Sequence, residues 1–289
     1  MRRALMITAV LLLGLGALAY PTVSNYLMER NGSYVIDEYR AQVDQTDQAA
    51  LEQAWQEAIE YNQTLSGSPA HDPFLDGTGM AMPENYYEVL NLNDTMAYVD
   101  IPKIGVHLPV YHGTSEEVLR RGVGHLEGSS LPVGGADTHT VLTGHTGLSN
   151  ARLFTDLQEL EVGDLFYIYV LDQVLAYRVD QIKVVEPDDT SYLKREIGKD
   201  YATLLTCTPY GINSHRLLVR GERTEYVPEE QAAIEPVETV STADRTVLVA
   251  AAVTAGVMLV LVVVSAVLTA RNRKRQRRVE ELWQDLMRQ

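Results

Sequence analysis

An uncharged apolar run occupies residues 4–23, directly after two arginines. A short basic segment followed by such a run is the pattern of a secretory signal peptide or of an uncleaved N-terminal anchor. Ala19 ends a stretch with the small residues of a cleavage site, but the run is also long enough to remain as a helix. Residues 1–23 are therefore predicted to be a signal peptide or a membrane anchor, and either would export the chain that follows.

A second uncharged run covers residues 246–270 and is rich in Val, Leu and Ala. At the rise of an α-helix its length crosses a hydrocarbon core of about 30 Å, so we predict a transmembrane helix. Six Lys and Arg residues lie between Arg271 and Arg278. Because cytoplasmic flanks carry the excess of positive charge, the basic tail 271–289 is predicted to be cytoplasmic and the residues before the helix extracytoplasmic.

Helical periodicity follows the first apolar run. Ser33, which comes after Asn and Gly, is predicted to cap a helix start. Apolar residues then recur at helical spacing among Glu and Gln; they are Leu51, Trp55, Ala58, Ile59 and Leu65. Residues 33–65 are thus predicted to form an amphipathic helical segment of one or two helices, with any break near residues 44–47. The apolar stripe is expected either to pack on the neighbouring domain or to touch the membrane surface.

Residues 66–85 show no periodicity and contain several Gly and Pro residues. Loops of this length without secondary structure are usually functional lids or linkers. Asp72, Pro73 and Phe74 place an acid and a large aromatic on either side of a stiff proline, which a plain linker has little reason to carry. We therefore predict a lid loop over residues 66–85.

Short strand-like runs begin at residue 96. Several are β-branched or aromatic, and all are bounded by turn residues; they are 96–101, 104–111, 138–143, 165–170, 174–185, 202–206 and 216–220. Two short helices are predicted, at 115–121 with Ser115 as its cap and at 152–160. The pattern favours a mostly antiparallel β-barrel or sandwich over residues 86–225. Glu, Pro and Thr in the next segment predict a stalk over residues 226–245.

Charge narrows the classes of partner. The formal net charge is −15, and because much of the positive charge lies beyond residue 270, the predicted exported part is more acidic still. Such a surface argues against nucleic acid and polyanionic wall polymers as ligands. It is compatible with a basic or lysine-bearing partner, or with an acidic surface that only maintains solubility.

The only cysteine, Cys207, ends an apolar strand-like run and is followed by turn residues and then by Arg216. A lone thiol in an exported protein is open to oxidation, which favours a chemical role over that of a small buried hydrophobe. A thiolate is a nucleophile, and a guanidinium one hairpin away would stabilise the oxyanion formed when a carbonyl is attacked. The alternative for Arg216 is a surface salt bridge.

An imidazole that takes the thiol proton and returns it to a leaving amine would complete such a site. His145 ends a β-branched run before Thr and Gly, so a rigid strand would hold it at a permissive loop. His215 is the rival, but it adjoins Arg216, and the two would face opposite sides of a strand. No pair of the seven histidines has a metal-ligand spacing, so we expect no metal and no cofactor.

The motif that ends at Cys207 resembles a known signature. Residues 203–207 read Thr-Leu-Leu-Thr-Cys, and sortases carry Thr-Leu-x-Thr-Cys at their active site. Arg216, nine positions later, matches the catalytic arginine of that family, and His145 in Thr-Gly-His matches its catalytic histidine. The resemblance implies that these three residues form the catalytic site.

Residues 72–74, Asp-Pro-Phe, resemble the Asp-Pro-aromatic lid of class C, pilus-assembling sortases, in which the aromatic covers the cysteine. Those enzymes also resemble this chain in having an N-terminal helical segment and a C-terminal membrane anchor. The resemblance covers roughly residues 33–223 and the last helix. It implies a mostly β protein with a sortase-like closed β-barrel and short helices over residues 86–225.

The function implied by this resemblance is that of a membrane-anchored cysteine transpeptidase. Cys207 would cleave an LPxTG-type sorting signal between Thr and Gly through a thioacyl intermediate, His145 would protonate the leaving amine, and Arg216 would bind substrate and oxyanion. Leu205 and Thr206 are predicted substrate contacts. A lysine amine of the next pilin subunit would resolve the intermediate as an isopeptide bond, so pilin subunits and the membrane are the expected partners.

Two other enzymes remain as alternatives: a wall-anchoring, housekeeping-type sortase and a hydrolytic surface cysteine peptidase. A surface protein that is itself sorted would need the Leu-Pro-x-Thr-Gly pentapeptide just before its apolar helix. Residues 235–239 read Glu-Pro-Val-Glu-Thr, and Leu-Pro-Val-Gly-Gly at 131–135 lies in mid-domain without the Thr. The sequence therefore predicts an enzyme rather than a substrate.

Overall fold

The computed structural model describes residues 2–65, 72–74, 85–148, 151–236 and 242–288. Two compact units are present, one within Ser24–Thr239 and the other comprising Met1–Val23 and Val240–Gln289. The described α-helices are α1 Arg2–Gln45, α2 Gln48–Thr64, α3 Glu116–Arg121, α4 Pro228–Ala232 and α5 Thr242–Leu286. The described strands are β1 Thr95–Ile101, β2 Val106–His112, β3 Val123–His125, β4 Thr138–Thr143, β5 Leu165–Val170, β6 Gln173–Val185, β7 Asp200–Thr208 and β8 His215–Thr224.

These strands close into a barrel in the order β1-β2-β3-β4-β7-β8-β6-β5. Six of the pairings are antiparallel, whereas β2 with β3 and β4 with β7 are parallel. The prediction of a mostly β fold with a closed barrel is confirmed, and the sandwich is excluded. The interior is filled by the inward side chains of all the longer strands, because alternate residues of a strand point to one face.

One strand, β3, has no counterpart in the predicted pattern. It is three residues long and lies between β2 and β4, with Gly124 at its centre. A Cβ on Gly124 would approach the carbonyl oxygen of Gly113 to 2.4 Å, so only glycine fits. The sequence suggested no strand here because a short run with a central glycine carries no apolar alternation.

α1 differs from the predicted helix start at Ser33. The helix continues through that residue, whose Oγ donates to the carbonyl oxygen of Glu29 at 3.0 Å instead of capping a new helix. Gly32 lies where the helix approaches β2, since a Cβ there would be 3.5 Å from Cδ of Pro109. That distance is an ordinary van der Waals contact, so Gly32 marks neither a helix boundary nor a position that only glycine could fill. Beyond it, Ile36 and Tyr39 are buried in the core.

α2 begins after Asp47, whose carboxylate accepts a hydrogen bond from the N–H of Ala50 at 3.0 Å. Its apolar face packs on the barrel core rather than on a membrane surface. Asn62 fixes the far end: its amide oxygen accepts from the N–H of Leu131 at 2.7 Å, and its nitrogen donates to the carbonyl of the same residue at 3.1 Å. This helix thus belongs to the barrel unit.

Two further predictions need correction. The helix predicted at 152–160 is a 3₁₀ turn over Thr155–Glu159, because Leu153 has φ of +42° and interrupts a regular helix. The first part of the predicted stalk, residues 226–236, packs on the outside of the barrel, where Gln231 bonds Asp100 and Tyr169. A stalk would therefore begin after this segment, and residues 237–241 lie outside the described part of the chain.

In the other unit, α5 carries a stretch, Ala255–Glu281, that is long enough and on average apolar enough to cross a membrane, although its uncharged part ends at Ala270. It is the only such stretch in the described residues, and it overlaps the predicted span at 246–270. α1 begins at Arg2, so the described part of the N-terminal apolar run is helical as well.

Candidate active site

The pairing of β7 with β8 sets Cys207 directly opposite Arg216. Opposite residues of an antiparallel pair point to the same face with Cβ atoms about 5 Å apart. The connecting turn is held by two N–H groups, those of Ile212 and Asn213, which both donate to the carbonyl oxygen of Pro209. The hairpin alone therefore brings the thiol and the guanidinium together, as the sequence predicted.

His145 reaches the same place from the other side of β7. β4 runs parallel to β7, and its last residue, Thr143, lies opposite Leu205. His145, two positions after Thr143, therefore comes level with Cys207, two positions after Leu205. The crossing is fixed by two hydrogen bonds: Gly144 N–H donates to the carbonyl of Leu205 at 3.0 Å, and Thr206 Oγ1 donates to the carbonyl of Gly144 at 2.6 Å. Strands β7 and β8 thus carry Cys207 and Arg216, and His145 lies on the loop two residues after the end of β4.

These side chains line a cavity of about 250 Å³. Its walls come from the segment 72–74, the β2–α3 region, the end of β4 and the β7–β8 hairpin. The lining residues are Pro73, Phe74, Thr114, Glu116, Leu119, His145, Cys207, Asn213 and Arg216. Residues 72–74 of the predicted lid therefore lie at or beside the candidate site.

The guanidinium of Arg216 is fully engaged in this structure. It donates through Nε to Oδ1 of Asp72 at 2.9 Å and through Nη2 to Oδ2. The two side chains are 7% and 1% exposed. Nη1 donates to the backbone carbonyls of Asn213 and His215, at 3.1 Å each. In this state the arginine binds the segment 72–74 rather than a substrate oxygen.

The ring of Phe74 lies between the candidate base and the candidate cation. Its centroid is 5.4 Å from that of His145, and the guanidinium carbon of Arg216 is 5.1 Å from the ring centroid. The ring also packs on a small apolar cluster formed by Leu126, Val141, Val185, Leu193, Leu205 and Leu218. A turn holds the ring in this position, because the N–H of Phe74 donates to Oδ1 of Asp72 at 3.2 Å.

The closed cavity suppresses ionisation. Burial raises the pKa of the Cys207 thiol to about 11; Arg216 opposes the rise and Asp72 adds to it. Burial also lowers the pKa of His145, and the nearby carboxylate of Glu116 partly offsets this. At neutral pH the thiol and the imidazole are therefore both uncharged in this structure.

The other predicted residues have different surroundings. His215 is paired with Glu186, with Nε2 3.1 Å from Oε1, and is absent from the described cavity lining. Thr206 is 2% exposed, and its hydroxyl donates a hydrogen bond to the carbonyl of Gly144. It therefore positions the loop that carries His145 instead of facing the cavity. Leu205 belongs to the apolar cluster beneath Phe74. His71 lies outside the described residues. Among the residues that are described, no group of three or more His, Cys, Asp or Glu side chains could hold a metal ion.

Sequence reasoning missed four lining residues: Thr114, Glu116, Leu119 and Asn213. Glu116 had a local signal, an acid in the first turn of a short helix, but that signal indicates only a stabilised helix start. Its Oε2 lies 3.4 Å from Nε2 of His145. Nothing in the sequence joins two residues so far apart, because only the closure of the barrel brings α3 beside the end of β4.

Comparison with known proteins agrees with this geometry. A family model described as a sortase domain matches residues 99–224. Sortase D of Bacillus subtilis (strain 168) is 32% identical over 128 residues, which are 43% of this chain and 62% of that relative. The chain thus spans just under two thirds of this curated relative.

Solved structures match over nearly their whole length. Sortase C of Streptococcus pneumoniae is 52% identical, with a TM-score of 0.62 over 67% of this chain and 97% of that one. A pilus-related sortase C of group B Streptococcus is 43% identical, with a TM-score of 0.62 over 66% of this chain and 97% of that one. Because the barrel, the family model and these solved structures agree, the chain belongs to the sortase family, with likeness to sortases of class C.

Proposed function

We propose that this protein is a membrane-anchored cysteine transpeptidase that cleaves LPxTG-type sorting signals between Thr and Gly and joins pilin subunits through lysine isopeptide bonds. The observation that carries the proposal is the convergence of Cys207, His145 and Arg216 on one cavity of a sortase barrel. A thiol, an imidazole and a guanidinium in one place are the groups that acyl transfer through a thioester requires.

Acylation begins when His145 takes the proton of the Cys207 thiol. The thiolate attacks the threonyl carbonyl, and the imidazolium then protonates the leaving glycine amine as the C–N bond breaks. Arg216 stabilises the oxyanion of the tetrahedral intermediate. The products are a thioester on the sulfur and a free amine, and the imidazole returns to its neutral form.

The segment 72–74 acts as a lid that must leave before this chemistry begins. With the lid in place, the thiol is buried and the arginine is bound to Asp72, so neither nucleophile nor oxyanion site is available. When the lid opens, Phe74 would leave the apolar cluster that contains Leu205. A leucine side chain of the sorting signal would then pack on this cluster in its place.

Two considerations support pilin subunits as partners. The described structural relatives include a pilus-related sortase C, and another was characterised with respect to pilin substrate specificity. The acidic exported part also suits a lysine-bearing acceptor. The apolar stretch of α5 would anchor the enzyme, with the catalytic barrel outside and the basic tail in the cytoplasm.

The test uses the full-length chain in detergent micelles with a labelled Leu-Pro-x-Thr-Gly peptide and three acceptors: a pilin peptide with a lysine, a wall-derived amine and water. Mass spectrometry should detect a thioester on Cys207 and a lysine-linked product, and Cys207→Ala should yield neither. Hydrolysis alone would identify a peptidase, and transfer only to the wall amine would identify a wall-anchoring sortase. An adduct that survives in Cys207→Ala would refute the mechanism.

The topology has a separate test in intact protoplasts. Protease added outside should digest the barrel and spare the tail beyond residue 270. Protection of Cys207 from external protease would contradict the proposed orientation.

A further inference from the structure

One acidic side chain lines the cavity without being tied to the lid. Glu116, the first residue of α3, contributes a carboxylate that is 58% exposed. Its Oε1 accepts a hydrogen bond from Nε of Arg120 at 2.7 Å, one helical turn on, which leaves Oε2 for other partners. Its Oε2 is directed toward the cavity, 3.4 Å from Nε2 of His145.

At 3.4 Å the contact of the imidazole with that carboxylate is longer than a normal hydrogen bond. Nε2 of His145 is buried, and it makes no hydrogen bond to any residue that the structure describes. A polar nitrogen and a carboxylate oxygen therefore lie side by side, and a donor placed beside the pair could reach both atoms. An ammonium group carries three N–H donors and one positive charge, which match a carboxylate and an imidazole nitrogen side by side.

The two ends of the cavity carry opposite charges. At the hairpin end, Arg216 is the cation that would receive the oxyanion, and at the α3 end Glu116 contributes a negative charge. Arg120 keeps the carboxylate ionised, since it lowers the pKa of Glu116. A positively charged acceptor would therefore be drawn to the His145 side of the thiol and away from Arg216.

We propose that Glu116 binds the ammonium group of the acceptor lysine and positions it for attack on the thioester. This inference rests on the proposed transpeptidase function and adds a binding residue to it. The ligand class is a primary alkylammonium, as presented by a lysine side chain.

The lysine nitrogen loses one proton to neutral His145 and attacks the thioester carbonyl, so that a C–N bond forms and the C–S bond breaks. A second proton passes from the nitrogen to the departing sulfur of Cys207, and the third remains on the new amide. Glu116 stays ionised throughout, and the net charge of the reacting groups is unchanged.

A simpler role for Glu116 would be to tune His145. The two roles predict different results, because a change that acts through the imidazole affects every acceptor, whereas an ammonium-binding residue matters only for a charged one. Hydroxylamine supplies the comparison, since it is a nitrogen nucleophile that is uncharged near pH 7.5.

The experiment offers the full-length chain a sorting peptide together with Nα-acetyl-lysine amide and hydroxylamine, and measures the ratio of the two products. Glu116→Gln should lower the lysine-to-hydroxylamine ratio by about fivefold, the size expected for loss of a partly exposed ion pair. Glu116→Asp, which keeps the charge on a shorter side chain, should give a lysine-to-hydroxylamine ratio between those of the unchanged chain and Glu116→Gln. Increasing salt should lower the ratio in the unchanged enzyme and not in Glu116→Gln.

Glu117→Gln is the matched control, because it removes the same charge from the same helical turn but lies outside the described cavity lining. Its ratio should equal that of the unchanged chain. A ratio that Glu116→Gln leaves unaltered, or that falls equally in Glu117→Gln, would overturn the inference while leaving the proposed function intact. If the unchanged chain forms neither product, the proposed function itself fails.

Discussion

Replacing Asp72 with alanine should open the lid and activate the thiol. The carboxylate accepts two hydrogen bonds from Arg216 and one from the N–H of Phe74, so it holds both the guanidinium and the turn. Alanine removes all three bonds and leaves the arginine charge inside a closed cavity without its partner. Because an uncompensated buried charge is costly, the open lid becomes the more stable state.

The magnitude follows from the ionisation of Cys207. Burial and Asp72 raise its pKa to about 11, from an ordinary value of 9.0. A return to that value increases the thiolate fraction at pH 7.5 about 100-fold, equivalent to about 2.7 kcal/mol. A less basic thiolate is also about tenfold less nucleophilic, so the net gain in reaction rate is about tenfold before steric access is counted. The freed Arg216 charge would lower the pKa further.

The assay is alkylation by iodoacetamide, followed by intact mass across a range of pH. Cys207 is the only cysteine, so each adduct reports on this site alone. Asp72→Ala should alkylate at least about tenfold faster at pH 7.5, and the midpoint of its pH profile should fall from about 11 to 9 or below.

A matched control breaks a different Arg–Asp pair on the same strand. Arg220 binds Asp180 through two hydrogen bonds, of 3.1 and 2.6 Å, and neither residue is part of the described cavity lining. Asp180→Ala should leave the alkylation rate and its pH midpoint unchanged. If Asp72→Ala behaves in the same way, the lid does not control the thiol, and the reasoning from burial and charge is refuted.

Three further predictions follow from other contacts. Phe74→Ala should also accelerate alkylation of Cys207, but less than Asp72→Ala does, because the ion pair between Asp72 and Arg216 remains. An alkylation rate equal to that of the unchanged chain would contradict this prediction. Asn62→Ala should lower the free energy of unfolding by about 2 kcal/mol in urea titrations, because it leaves the buried N–H of Leu131 unpaired, whereas the carbonyl of Leu131 keeps the N–H of Val133 as a donor; the exposed neighbour Gln63→Ala should not. Burial lowers the pKa of His125 and of His139 from 6.5 to about 4, so the unfolded chain binds more protons between these values, and stability should fall by about 3 kcal/mol per histidine as the pH drops from 6.5 to 4. A flat stability profile over that range would show that these histidines are not buried as neutral groups.

The elements of the barrel were largely readable from local patterns. Short runs, several of them β-branched or aromatic and bounded by turn residues, located seven of the eight described strands. Ser115 was identified as the cap of α3, where its Oγ accepts from the N–H of Val118. Errors arose where tertiary contacts override local propensity. α1 continues through the predicted start at Ser33 and buries Ile36 and Tyr39 in the core just beyond it, and residues 226–236 pack on the barrel, where Gln231 bonds Asp100.

The sequence by itself determined the chemistry available to this protein: one thiol at a strand end, an arginine after a hairpin, a histidine at the end of another strand, and apolar runs for export and anchoring. Hairpin register is a local property, so Cys207 and Arg216 were expected to meet. Only the tertiary structure decided what surrounds them. The parallel pairing of β4 with β7 sets His145 level with the thiol, and closure of the barrel brings Glu116 to its side. Such contacts depend on the packing of distant segments, which no local pattern encodes.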